Sequence, residues 1–417
     1  MESPTPASAR IGIIGAGPGG LTCARILQRH GIAVTVYDRD PDADSRNQGG
    51  SLDLHDDDGQ LALREAGLLE EFFELARFDG QEMRHLDPAG NLLSHHVPDE
   101  GETTKPEIDR GQLRDLLLRS LAAGTVQWGR TLESVSETGH GPRTLTFTDG
   151  TNAETDLVIG ADGAFSRVRS AVSPATPRYT GVSFLEAHFD DMESAHPELS
   201  ELVGRGSAHA ADGERGLFAQ RNSGGHMRVY IMQRVPMDWI GAQGLSSDDT
   251  EGIRAHLLDA YASWSPRTLR MITDNDGPYV DRPILALPVP HTWEHAPGVA
   301  LLGDAAHLMP PLGVGVNLAM LDASELALAL VNSATVEDAV RAYEKTMLPR
   351  SAEIAQMLEG GAEHMLAVPD PERLCRGSCA RGSFALPPPA FPGQAAGIEV
   401  LLEGRGASGA VGVASCA

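Results

Sequence analysis

Positive charge is what this chain has least of. Its 33 Lys and Arg face 58 Asp and Glu, a formal net charge of −25. A nucleic-acid partner needs clustered cations to displace counterions from phosphate, so that class of function is excluded and the acidity is read as solubility. Cysteine is sparse as well. Cys23, Cys375, Cys379 and Cys416 have no spacing of a disulfide framework, and Cys375 and Cys379 lack a second ligand pair for zinc, so no metal is expected. Long apolar runs are missing too. The N-terminal apolar segment is short and cut by glycine, unlike a signal peptide or a membrane span, and the chain is expected in the cytoplasm, off the membrane.

What is present begins with size and glycine. A chain of 417 residues exceeds what one core usually organises, so two domains or one large interleaved unit are expected. The 46 glycines favour tight turns and close backbone approach to a ligand. Arg10-Ile11-Gly12-Ile13-Ile14 reads as a buried strand running into Gly15-Ala16-Gly17-Pro18-Gly19-Gly20. A helix with Leu21, Ala24, Ile26 and Leu27 on its apolar face follows, and then a strand, Ala33 to Tyr37, that delivers Asp38. Each part has a reason. Gly15 permits the tight turn, Gly17 lets the backbone approach a pyrophosphate, and Gly20 lets helix pack on strand. The helix N-terminus favours phosphate charge, and an acid about twenty residues on accepts from an adenosine ribose. This segment alone does not choose between NAD and FAD.

Two further strands end the same way. Asp156 to Gly160 leads into Gly160-Ala161-Asp162-Gly163, followed by Ser166, Val168 and Arg169. Gly298 to Leu302 leads into Gly303-Asp304-Ala305-Ala306-His307, then Pro310, Pro311, Gly313, Gly315, Val316 and Asn317, and a long Ala/Leu helix from about Leu318. Three buried strands ending at glycine with an acid point to one parallel sheet with a ligand across its carboxyl edge. Asp162 and Asp304 are therefore candidate cofactor residues, Asp304 as acceptor for a sugar-alcohol hydroxyl. His307 is read as structural rather than as a base.

Together these stretches resemble the class A flavin-dependent aromatic hydroxylases. Gly49-Gly50-Ser51-Leu52-Asp53-Leu54-His55, Pro106-Glu107-Ile108-Asp109-Arg110 and Gly303 to Pro311 resemble, more closely, the tetracycline-inactivating monooxygenases. The resemblance covers residues 10 to about 370. It implies an α/β fold, with a Rossmann-like FAD-binding domain of glutathione-reductase type interleaved with an antiparallel β-sheet substrate domain and a C-terminal helix. The expected division is 1–75, 98–172 and 276–350 for FAD, 76–97 and 173–275 for substrate, 351–370 for the C-terminal helix, and 371–417 as a weakly ordered tail. A helix over about 336–366 is expected to kink at Pro349.

The resemblance also assigns residues. Asp38 and Arg39 fall on the adenosine half of FAD, Arg110 and Asp53 on further FAD contacts, and Arg46 on NADPH. Asp304 falls on the ribityl chain, and Pro311, Gly313, Gly315, Val316 and Asn317 on the loop along the isoalloxazine. Glu186 and Arg228 fall near the substrate. No side chain is assigned a catalytic step. The loop after Pro311 is one residue shorter than in the tetracycline enzymes, and the tail does not match theirs. Phe184, Phe189, Phe218 and Tyr230 are read as plain core of a sheet that floors the substrate pocket.

The implied activity is an FAD-dependent monooxygenase. It uses NADPH or NADH, with O2, to hydroxylate an electron-rich aromatic or enolic small molecule through a C4a-hydroperoxyflavin. Antibiotic modification of a tetracycline-like polyketide is one form of this. The chain is expected to act as a monomer, with the small molecule and O2 as its partners. A dehydrogenase of the same fold and a non-catalytic flavoprotein are the alternatives; the halogenase tryptophan motif is absent.

Overall fold

The strands that carry the three glycine turns lie side by side. In a computed structural model, which describes residues 3–45, 49–136 and 141–368, five parallel strands follow the order Val299–Leu301, Leu157–Gly160, Ile11–Ile14, Val34–Tyr37, Val126–Gln127. Ile13 sits between Val36 and Ile159, and Ile159 beside Ala300. The three strands that lead into the glycine turns after Ile14, Gly160 and Leu301 are buried at every residue, as strands covered on both faces must be. The helix Pro18–Arg29 starts with proline in its first turn and buries Leu21, Cys23, Ala24, Ile26 and Leu27. The helix Gly315–Asn332 crosses it closely enough that a Cβ on Gly19 would stand 3.0 Å from the Ala319 carbonyl oxygen.

A second layer is built on a seven-stranded sheet. Its order is Val280–Ala286, Arg178–Phe189, Met227–Arg234, Arg215–Arg221, Ser207–Ala211, Met83–Leu86, Leu92–His96, all antiparallel except the pair Ser207–Ala211 with Met83–Leu86. Alternation sorts its side chains. Leu185, Ala187, Phe189, Leu217, Ala219, Val229 and Ile231 pack with Leu199, Leu202, Ile253, Leu257 and Ile272, which lie on the helices Pro197–Val203, Thr250–Ala260 and Pro266–Thr273. The other face carries Phe184, Glu186, Phe218, Gln220, Arg228, Tyr230 and Arg282, brought into register by the strand pairing. A two-stranded ribbon, Ser51–Asp53 with Glu107–Asp109, meets that face through Gln220.

Two expectations need correction. Val280–Ala286 is an edge strand of the large sheet, paired to Arg178–Phe189, so the sheet extends past position 275; its Pro283 is tolerated because an edge strand needs donors on one side only. The helix expected over about 336–366 ends at Met357, with Gly360 in the left-handed region and a short helix, Gly361–His364, after it; Pro349 lies inside the longer helix. Tyr343, Met347, Ser351 and Ile354 bury one stripe on both sides of the proline, so tertiary packing carries the helix past the missing N–H. The tail 371–417, with Cys375, Cys379 and Cys416, and Arg46 lie outside the described residues. Among the described residues no helix is long and apolar enough to cross a membrane.

One buried ion network ties the last strand end to the two long helices. Asp322, fully buried, accepts from His307 Nε2 at 2.6 Å, from Gly303 N–H at 3.0 Å and from Arg350 at 2.8 Å. Burial alone would raise the Asp322 carboxyl, but His307 and Arg350 outweigh it and hold it below 3.8. Burial would lower His307, yet the Asp322 carboxylate lifts it above 6.5. Replacing Asp322 by alanine leaves buried cations unpaired and should destabilise the fold by about 3–5 kcal/mol in urea denaturation. Asp322 contributes above its unfolded value of 3.8 and loses its contribution as pH falls through the lower folded value. His307 contributes fully below 6.5 and fades as pH rises through its higher folded value. The difference between wild type and variant should therefore be widest between pH 3.8 and 6.5.

Candidate active site

The first glycine turn is shaped by exclusion. Gly15 has φ +110°, and a Cβ there would lie 2.3 Å from the Ala161 carbonyl oxygen; one on Gly20 would lie 2.1 Å from the carbonyl oxygen of Gly15. Gly17, the N-cap of the helix Pro18–Arg29, faces open space instead, with no atom within 4 Å of its would-be Cβ. Bare backbone and the positive end of a 12-residue helix thus meet an open side, the arrangement that receives a diphosphate. Asp38 holds the turn: its oxygens accept from Ala16 N–H at 2.6 Å and Asp40 N–H at 2.8 Å, and a carboxylate keeps further lone pairs for a hydroxyl. Arg39 beside it is exposed. Arg114, buried beneath, donates to Ala16 O at 3.2 Å and Ala43 O at 2.6 Å and lies 5.2 Å from the Trp128 ring.

The other two turns are cross-braced. Asp162 accepts from Ser166 Oγ at 2.6 Å and Arg167 N–H at 2.7 Å, so its carboxylate fixes the loop after its strand. Arg169 donates to Ala305 O at 2.8 Å and to Ala164 O and Asp304 O at 2.9 Å, clamping one turn to the next. Gly303, at φ +58°, is pressed against Ala319, and the Asp304 side chain emerges exposed. His307, read above as structural, is buried and joins the Asp322 network through Nε2.

The loop Pro311–Gly315 is held from behind. Asn317, fully buried, accepts from His55 N–H at 3.1 Å and donates to Asp53 O at 2.8 Å and Gly313 O at 3.3 Å. Gly313 has φ +86°, and a Cβ there would stand 3.9 Å from both Asp53 carboxylate oxygens. Gly315 has open space and opens the helix that also contains Val316. His55 bridges Asp53 at 3.2 Å and Asp58 at 3.5 Å; burial opposes its charge, but the two carboxylates push the ring up to about 10. Glu107, opposite Asp53 on the ribbon, accepts from Ser51 Oγ and from Gln220 Nε2 at 3.3 Å. Burial, reinforced by the Asp53 charge, pushes its carboxyl up to about 7.

The polar face of the large sheet meets this region at Gly49 and Gly50. A Cβ on Gly50, at φ +78°, would sit 2.7 Å from Tyr230 Oη, and one on Gly49 would sit 3.3 Å from Arg228 and 3.4 Å from Glu186. Glu186 is paired with Arg228 at 3.0 Å and Arg282 at 3.2 Å. Arg110, exposed at the start of the helix Arg110–Arg119, is near enough for its charge to act on both Asp304 and Tyr230. Of the aromatics read as core, Phe189 is core, whereas Phe218 and Tyr230 are only partly buried and stack at 6.3 Å. Thus the structure brings together Asp53, Gly313, Asn317, Arg110, Asp304, Glu186 and Arg228, while the adenosine-side residues Asp38 and Arg39 sit at the first turn. Sequence reading missed Arg114, Arg169 and Arg282 as site residues. Arg114 was visible as an arginine among leucines at helical spacing. Arg282 was hidden because its strand was assigned elsewhere.

Comparison with known proteins agrees with this geometry. Residues 8–242 and 290–357 match the family described as FAD binding domain. The chain is 33% identical over 401 residues to the monooxygenase penA of Penicillium thymicola, covering 82% of this chain and 92% of that one. It is 30% identical over 416 residues to the monooxygenase asqM of Emericella nidulans, covering 84% and 93%. Among solved structures it shares its fold with Klebsiella pneumoniae HpxO in complex with FAD and uric acid, at TM-score 0.71 and 22% identity over 89% of this chain and 96% of that one. It also shares its fold with the tetracycline destructase Tet(51), at TM-score 0.65 and 20% identity over 90% and 95%.

The contrast between Gly17 and Gly15 yields a test. Gly17→Ala meets no protein atom, so it should cost about 1 kcal/mol or less in unfolding of the FAD-free protein while weakening FAD by about tenfold or more. Gly15→Ala collides with backbone and should lower both stability and FAD retention. Flavin absorbance after gel filtration and thermal melting of the FAD-free protein separate the two.

Proposed function

Because the chain belongs to the FAD-binding-domain family of class A FAD-dependent monooxygenases, we propose that it takes electrons from NAD(P)H and inserts one oxygen atom of O2 into an electron-rich aromatic or enolic small molecule. Bound FAD, once reduced, supplies the electrophilic oxygen; no side chain need act as a nucleophile. The protein's own residues bind, orient and exclude water. Gly15, Gly17 and Gly20 receive the diphosphate, with Asp38 and Arg39 on the adenosine side. Asp304 takes the sugar-alcohol chain, Arg110 lies beside it, and Pro311 to Asn317 form the wall along the ring, with Asp53 behind Gly313. Glu186, Arg228 and Tyr230 face that wall from the large sheet.

The observation that carries this reading is the meeting of two unlike surfaces. Three glycine turns converge at one edge of a parallel sheet, and a sheet face bearing stacked aromatics and paired charges reaches the same place through Gly49, Gly50 and Gln220. The former suits a dinucleotide, the latter a planar, polar-edged substrate. A tetracycline-like polyketide is one such molecule.

The test is stopped-flow absorbance of FAD-loaded protein mixed with NADPH in air, with a panel of phenols, naphthacenes and tetracyclines. Flavin reduction accelerated by one compound, with a product heavier by one oxygen atom in mass spectra, is the expected outcome. Reduction without oxygen transfer to any compound would count against the monooxygenase reading of its substrate class. Asp304→Ala should weaken FAD by about 10- to 100-fold in the same preparations, the value of a charge-assisted hydrogen bond.

A further inference from the structure

One buried carboxyl behind the cofactor wall has no ion-pair partner among the described residues. Glu107 is nine-tenths buried, and its two side-chain donors, Ser51 Oγ and Gln220 Nε2, are both neutral. Arg77 brackets it with backbone, N–H to O in both directions, but the guanidinium goes elsewhere. Its Nη2 donates to Ser51 Oγ at 2.9 Å and to Arg221 O at 2.8 Å, and stands 3.7 Å from Asp109. Gly80 closes a further side, since a Cβ there would lie 2.8 Å from that of Glu107. Directly across the ribbon is a second acid, Asp53. Like charges opposed on a strand pair repel, and a carboxyl buried without a cation keeps its proton.

The two acids are not equivalent. Asp53 is partly exposed and has a cation in contact, His55 Nε2 at 3.2 Å, which Asp58 braces from the other ring nitrogen at 3.5 Å. Asp53 also stands at the loop read above as the wall along the flavin ring, 3.9 Å from where a Cβ on Gly313 would be. A proton held by the pair therefore rests on Glu107. Burial, with the Asp53 charge, outweighs the pull of Arg77 and lifts that carboxyl to about 7. As pH rises past this value the wall gains one further negative charge. Reduction of a flavin adds negative charge to its ring, so an added anion beside it opposes reduction.

We propose that Glu107 is a positioning residue for the cofactor: acting through Asp53, it sets the charge of the wall beside Gly313 and with it the midpoint potential of the bound flavin. The proposal rests on the placement of the flavin ring given above, and it needs neither NAD(P)H nor oxygen transfer.

Reductive titration of the FAD-loaded protein with dithionite and a reference dye, from about pH 6 to about pH 9, reads the potential directly. Glu107→Gln should match wild type at the acid end, where the native side chain is already neutral. Above about pH 7 wild type should become the harder of the two to reduce. The gap should reach about tenfold in the ratio of oxidised to reduced flavin, about 30 mV for a two-electron couple. Glu107→Asp, which keeps an ionisable group, should restore a pH-dependent potential, and Asp53→Asn should move its onset to lower pH. Curves that coincide throughout would overturn the proposal. So would a gap of equal size at every pH, the sign of a displaced loop rather than a titrating charge. If Glu107→Gln does not retain FAD, wild type alone decides. Its infrared difference spectrum on reduction at about pH 6 should contain a shifted carbonyl band of a protonated carboxyl, and absence of that band sinks the idea. Failure of the function looks different: a protein that keeps these potentials but transfers oxygen to no compound contradicts the monooxygenase reading alone.

Discussion

Gly20 has no room for a side chain, and most of the cofactor side follows from that. With a Cβ only 2.1 Å from the Gly15 carbonyl oxygen, any other residue would push the helix off the end of its strand. The helix would then no longer aim its first N–H groups at the open side beside Gly17. The same contact brings Gly15 against Ala161, so the first turn and the second are one packed object. Arg169 extends the object to the third turn through carbonyls of Ala305 and Asp304, and Asp322 ties that turn to two long helices. Close backbone approach is thus the constraint, and polar braces keep it from relaxing.

The braces are mostly charged and buried, and their partners differ in kind. Arg114 and Arg169 spend their donors on backbone carbonyls. Asp38 and Asp162 accept from backbone N–H groups. Such groups fix loops that have no regular secondary structure to satisfy their own polar atoms. Asn317 does the same work with an amide, joining three separate backbone positions without carrying charge.

Much of this was legible in the sequence because it is local. Strand, glycine turn and helix are adjacent along the chain, so hydrophobic period and glycine spacing expose them. Their gathering into one parallel sheet, and the FAD they bind, were readable for the same reason. What resisted reading depends on distant pairing. Arg282 reaches Glu186 from nearly a hundred positions away, and nothing local shows that its strand closes the edge of the large sheet. Glu107 sits in a motif that was recognised. Its burial, however, comes from Gln220 and Ser51 on other elements. The helix expected to reach about 366 ends at Met357, ahead of Gly360 in the left-handed region, a stop that its hydrophobic spacing did not show.

The two surfaces of the site also differ in what they tolerate. On the cofactor side, substitution meets backbone at short range, and backbone cannot rotate away. On the large sheet, alternation separates a face packed on helices from one that carries the charged side chains. Leu185, Ala187, Val229 and Ile231 hold the sheet to its helices, while their neighbours Glu186, Arg228, Tyr230 and Arg282 point the other way. A change at Glu186, Arg228 or Arg282 alters charge on that face without opening the core that the sheet shares with its helices. A rigid set of backbone turns can serve one cofactor while the sheet that faces it changes its outward side chains, which is the physical arrangement under which one fold can serve many substrates.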